Sequence, residues 1–111
     1  MTPNEYQIAA MRTSRSDRTD TEHLINGALG LTGESGEVAD IVKKHMFQGH
    51  AIDREHIAKE LGDVLWYVAE TATAIGYDLE TIMQMNIHKL FARYPDGFSS
   101  KRSMNRAKGD V

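Results

Sequence analysis

An all-α fold, an antiparallel bundle of about four helices, is predicted by three features of this 111-residue chain. Apolar residues recur at helical spacing over long segments, no stretch alternates at strand period, and most segments open on a capping residue and close near glycine or proline. The length suits one domain with a modest core. We divide it into a helical domain, residues 1–97, and a basic tail, residues 98–111.

The N-terminal segment Thr2-Pro3-Asn4-Glu5 is a capping box with proline at the first helical position, and predicts a short helix to about Arg12. Ser14 to Asp20 is polar and aperiodic and reads as a loop. Thr19-Asp20-Thr21-Glu22 repeats the capping pattern and opens a helix that can run to Phe47. At roughly 100° per residue, Leu24, Ala28, Leu31, Ser35, Val38, Val42 and Met46 form its expected core stripe. Four glycines, Gly27, Gly30, Gly33 and Gly36, interrupt this helix, each costing about 1 kcal/mol against alanine. Close helix packing accounts for Gly33 and Gly36. Gly27 and Gly30 equally suit a side-chain-free groove for a flat ligand, in line with His23.

Gln48 to Ile52 is the expected turn, with Gly49 as helix stop, and Asp53 caps a third helix to about Ile75. Its core stripe reads Ile57, Leu61, Val64, Leu65, Val68, Ala72 and Ile75, flanked by Glu60, Asp63 and Tyr67. Trp66 projects almost opposite that stripe. It implies a second packing surface, read as a subunit interface, with nucleobase stacking as the alternative. Gly76 and Asp78 separate the third helix from a fourth that ends near Arg93, before Pro95-Asp96-Gly97. Asn86, Lys89 and Arg93 line one of its flanks. The tail carries Lys101, Arg102, Arg106 and Lys108 against the single acid Asp110, and suits either disorder or a cover for an anionic ligand.

The chemistry is concentrated in two acidic pairs. Gly33-Glu34-Ser35-Gly36-Glu37 and Glu60-Leu61-Gly62-Asp63 each set two carboxylates three residues apart, on one helix face. The pairs are mirror images about Gln48-Gly49, so an antiparallel hairpin turning there brings Glu37 level with Glu60 and Glu34 level with Asp63. Carboxylates so crowded repel one another unless cations lie between them. Magnesium, or manganese in its place, is the expected ion, because it binds carboxylate oxygens while retaining water. Asn86, Lys89 and Arg93 supply donors for phosphate oxygens.

Several classes of function are excluded or disfavoured. With no cysteine there are no disulfides, thiolate metal sites or thiol nucleophiles. No Glu-x-x-His pair marks a di-iron bundle, and the histidines lack the zinc protease spacing. No apolar run approaches the roughly 18 residues of a membrane span, and no signal-peptide pattern opens the chain. A cytoplasmic protein without membrane partners is the expectation. The formal charge of −3 argues against a broad surface for polymeric nucleic acid.

Leu31-Thr32-Gly33-Glu34-Ser35-Gly36-Glu37-Val38, Glu60-Leu61-Gly62-Asp63-Val64-Leu65-Trp66, Asn86-Ile87-His88-Lys89 and Arg93-Tyr94-Pro95 resemble the MazG-like all-alpha nucleoside triphosphate pyrophosphohydrolases. The likeness runs from about residue 22 to 98. The family often doubles the first glutamate, where this chain has Gly33. The resemblance implies magnesium-dependent hydrolysis between the α and β phosphates, giving a monophosphate and pyrophosphate, in the service of nucleotide-pool cleaning. It implies metal binding by Glu34, Glu37, Glu60 and Asp63, with Glu37 or Glu34 acting on the water. Asn86 and Lys89 match phosphate-side positions, with Arg93 beside them. His23, Gly27, Gly30 and Tyr67 are left for base and sugar. The resemblance also implies a homo-oligomer, dimer or tetramer. The alternative is a non-catalytic nucleotide- or protein-binding helical oligomer of the same fold.

Overall fold

A computed structural model describes residues 1–111 as five helices and no strand: α1 Pro3–Met11, α2 Asp20–Phe47, α3 Arg54–Ala74, α4 Leu79–Arg93 and α5 Ser100–Met104. Capping chemistry sets the starts. Thr2 and Glu5 form the reciprocal box, and the side chains of Thr19, Asp53, Asp78 and Ser99 each accept from a backbone N–H three residues on. Gly49 and Gly76 adopt φ of 73° and 78°, the left-handed conformation that glycine enters without strain, where α2 and α3 give way to turns. The tail is not featureless: α5 and a turn at Gly109 order it, and Asp110 bonds back to Arg93.

The frame is the α2–α3 hairpin, and glycines set its register. A Cβ on Gly27 would lie 2.3 Å from Thr71 Oγ1, and one on Gly30 would lie 2.2 Å from Tyr67 Cε1. One level further out, Asn26 Nδ2 donates to Glu70 Oε1 at 2.7 Å. The mirror register about Gln48-Gly49 therefore holds. The expected ligand groove at Gly27 and Gly30 does not exist within the chain, because Thr71 and Tyr67 fill it. Gly33 and Gly36, expected at packed positions, have open space where a Cβ would point.

α1 covers the other side of α3. Trp66 Nε1 donates to Ala10 O at 3.0 Å and Thr13 Oγ1 at 2.8 Å, so the second packing surface implied by Trp66 is α1 of the same chain. Buried Gln7 ties three elements: its Nε2 donates to Thr73 Oγ1 and Tyr77 O, and its Oε1 accepts from Leu79 N–H. The small core is Ala10, Ala69, Ala72 and Leu79, flanked by Tyr6, Met11, Trp66, Val68 and Ile82.

The stripes expected to form the core are covered only in part: on α3 Ala72 is buried and Val68 packs against the core, and Leu31, Val38, Ile57 and Val64 are half-buried. Leu24, Val42 and Met46 on α2, Leu61 and Leu65 on α3, and Ile75 just past its end are 37–64% exposed. α3 spends its Tyr67–Thr71 side on α2 and its Trp66–Thr73 side on α1, and Leu61 and Leu65 find no full cover in the chain. The radius of gyration, 17.1 Å, exceeds the roughly 13 Å of a compact domain of this length.

Candidate active site

The hairpin brings Glu34, Glu60 and Asp63 together. One carboxylate oxygen from each lies within 4.8 Å of the others, across two antiparallel helices. Glu34 and Glu60 are half-buried and Asp63 is exposed. Desolvation, followed by the charges of Asp63 and Glu60, raises the Glu34 carboxyl above its ordinary value. The site thus concentrates negative charge on oxygen ligands. That donor set fits a hard divalent cation, which neutralises the repulsion and accepts water in its remaining positions.

Glu37, expected in the same quartet, stands one turn along α2, exposed and outside the three-acid group. Its charge still contributes to the rise at Glu34. Beside the acids, Trp66 and Tyr67 join Glu34 and Asp63 in lining a shallow cavity of about 360 Å³. The two rings meet edge to face at 5.0 Å, and Tyr67 rests on Gly30. Tyr6 of α1 closes in from the other side: burial and then the charge of Asp63 raise its phenol.

Two neighbours of the acids escaped sequence reasoning. His56 Nε2 lies 3.0 Å from Glu60 Oε1 and orients that carboxylate; its spacing of four residues before Glu60 was the available signal. Tyr6 had no such signal, since nothing in α1 announces which part of α3 it will meet.

His23, expected near the base, is half-buried with Nδ1 3.4 Å from Ser14 Oγ, where it steadies the α1–α2 loop. Gly27 is buried under Thr71. The phosphate-side residues line other cavities than the one beside the acids. α4 packs on α1 and the end of α3, so Asn86 and Lys89 face a cavity of about 470 Å³ shared with Ile75, Tyr77 and Val111. Arg93 turns to the tail and pairs with Asp110.

A profile of the MazG nucleotide pyrophosphohydrolase domain matches residues 23–98, which contain all three converging acids as well as Asn86, Lys89 and Arg93. The chain is 37% identical over 109 residues to the Gene 37 protein of Mycobacterium phage L5, covering 91% of this chain and 96% of that protein. No solved structure matches.

Proposed function

This chain belongs to the MazG nucleotide pyrophosphohydrolase family, and we propose that it is a magnesium-dependent nucleoside triphosphate pyrophosphohydrolase that releases a monophosphate and pyrophosphate, cleaning the nucleotide pool. The convergence of Glu34, Glu60 and Asp63 carries this reading. Three hard carboxylates, one of them raised above its ordinary value by desolvation and by the charges of Asp63 and Glu60, suit the binding of a cation with its phosphates.

Glu34, Glu60 and Asp63 would hold the metal, and Glu37 stands one turn along α2. Bound magnesium supplies charge neutralisation at the phosphates and a more acidic water. Glu37, outside the close group, is the acid left to orient the attacking water and accept its proton, with Glu34 beside it. Water adds across the anhydride between the α and β phosphates, and pyrophosphate leaves. His56 holds the Glu60 carboxylate in place. Asn86, Lys89 and Arg93 bind phosphate oxygens. The Tyr67 ring, beside the acids, offers a face to base or sugar; Gly30 and Gly27 allow its helix to approach, and His23 steadies the entrance loop.

The separate cavities of the acids and of the α4 donors, together with the exposed Leu61, Leu65 and Met46, support a homo-oligomer in which a second copy completes the site. A metal-dependent thermal shift tests the cation site. Magnesium at a hundredfold excess over its Kd stabilises a bound fold by about 2.7 kcal/mol, so it should raise the Tm of the wild type and leave that of Glu60→Gln unmoved. Equal shifts in both proteins would place the ion elsewhere.

A further inference from the structure

The tail folds back on α4 to build a second charged cavity. It measures about 420 Å³ and is lined by Lys89 and Arg93 from α4, by Arg102 of α5, and by Asn105, Arg106 and Asp110 beyond it. That volume is within the range of small-ligand pockets, roughly 300–1,000 Å³. Four cations thus share a cavity with one carboxylate. Arg93 Nε and Nη2 donate to the two oxygens of Asp110 at 2.9 and 2.7 Å. The pair is well shielded, its side chains only 11% and 17% exposed. A turn sets the carboxylate there: Asp110 N–H bonds Ala107 O at 3.1 Å, with Gly109 at φ 86°. The Arg93 guanidinium holds Asp110 below the usual carboxylate range, and Arg106 and Lys89 add to the effect.

We propose that Lys89, Arg93, Arg102 and Arg106 form a polyphosphate-binding pocket whose resting occupant is Asp110, so that the end of the tail is a displaceable latch. The guanidinium fork that grips a carboxylate through two parallel bonds grips phosphate in the same way. A carboxylate brings one negative charge to four cations, whereas pyrophosphate or a triphosphate brings several. The phosphate ligand therefore outcompetes the latch, and Arg102 and Arg106 stay to bind it. Both arginines lie beyond the matched family region, which ends at residue 98, so the latch belongs to this chain's own tail. The assignment rests on reading Lys89 and Arg93 as phosphate-side residues, and it adds both ligands and a competitor to them.

The test is calorimetric titration of the full chain with pyrophosphate, and in parallel with a nucleoside triphosphate, in chelator and without divalent metal. Asp110→Asn is expected to bind pyrophosphate about tenfold more tightly than wild type, and Arg106→Gln about tenfold more weakly. Arg102→Gln should weaken binding as Arg106→Gln does, with the latch pair untouched. Tighter binding of the triphosphate assigns the pocket to substrate, and equal binding assigns it to free pyrophosphate. An affinity unchanged or weakened in Asp110→Asn, or unchanged in both arginine variants, overturns the latch. Because metal is absent, the acidic site takes no part. Loss of these effects in a protein that still releases pyrophosphate with magnesium refutes the latch alone; intact effects in a protein that releases none refute the hydrolase alone.

Discussion

Glu34 is where the charge conflict of the site is felt. Its carboxyl is raised by desolvation and by Asp63, Glu60 and Glu37, so the metal-free folded chain holds that proton more tightly than the unfolded chain does. Metal-free stability should therefore fall as pH climbs from the ordinary carboxylate range through the raised value, and level off above it. Magnesium should flatten this decline, and Glu34→Gln should remove it; Tm measured against pH, with and without the ion, checks both. Asp110 has the opposite sign. Its depressed value means that the Arg93 pair contributes stability above the ordinary aspartate range and loses it as pH falls through the lowered value. The acids were legible in the sequence because i, i+3 spacing and mirror register are geometric facts about helices. The contact of Trp66 with Ala10 was not, because the partners are 56 residues apart and no local rule couples them.

The α2–α3 hairpin depends on glycine at the two levels where the helices come closest. Gly27→Ala would press a methyl group onto Thr71 Oγ1 at 2.3 Å and the Thr71 backbone nitrogen at 3.2 Å. Side chains can shift but backbone cannot readily, so we expect a net loss of about 1–3 kcal/mol despite alanine's better helix propensity. Gly33→Ala meets nothing within 4 Å and should gain about 0.5–1 kcal/mol. Denaturant midpoints of the two variants should move in opposite directions. Helix boundaries were readable to within about a residue or two because caps and stops are local chemistry. Helix faces were less readable. An apolar stripe identifies a surface that prefers to be covered, without saying whether the cover is in the same chain. On α3 the faces actually used inside the chain carry Trp66, Tyr67, Glu70 and Thr73, and the predicted stripe through Leu61 and Leu65 was left open.

At the scale of the whole molecule, only 7 of 111 residues are buried. So little enclosed surface, with exposed Leu61, Leu65 and Met46 on the hairpin, leaves an apolar face that a second copy could cover. We therefore expect sedimentation to give a multiple of the 12.4 kDa chain. Leu61→Glu with Leu65→Glu should reduce the mass toward one chain and lower stability. On the proposed reading, in which a second copy supplies the α4 donors to the acids, activity should be lost together with assembly. The most direct test of the central claim is product analysis of the purified chain with a panel of nucleoside triphosphates and magnesium. Metal-dependent release of pyrophosphate and monophosphate, without orthophosphate, and lost in a folded Asp63→Asn protein, is the predicted result. Tight nucleotide binding with no pyrophosphate from any member of the panel would contradict it.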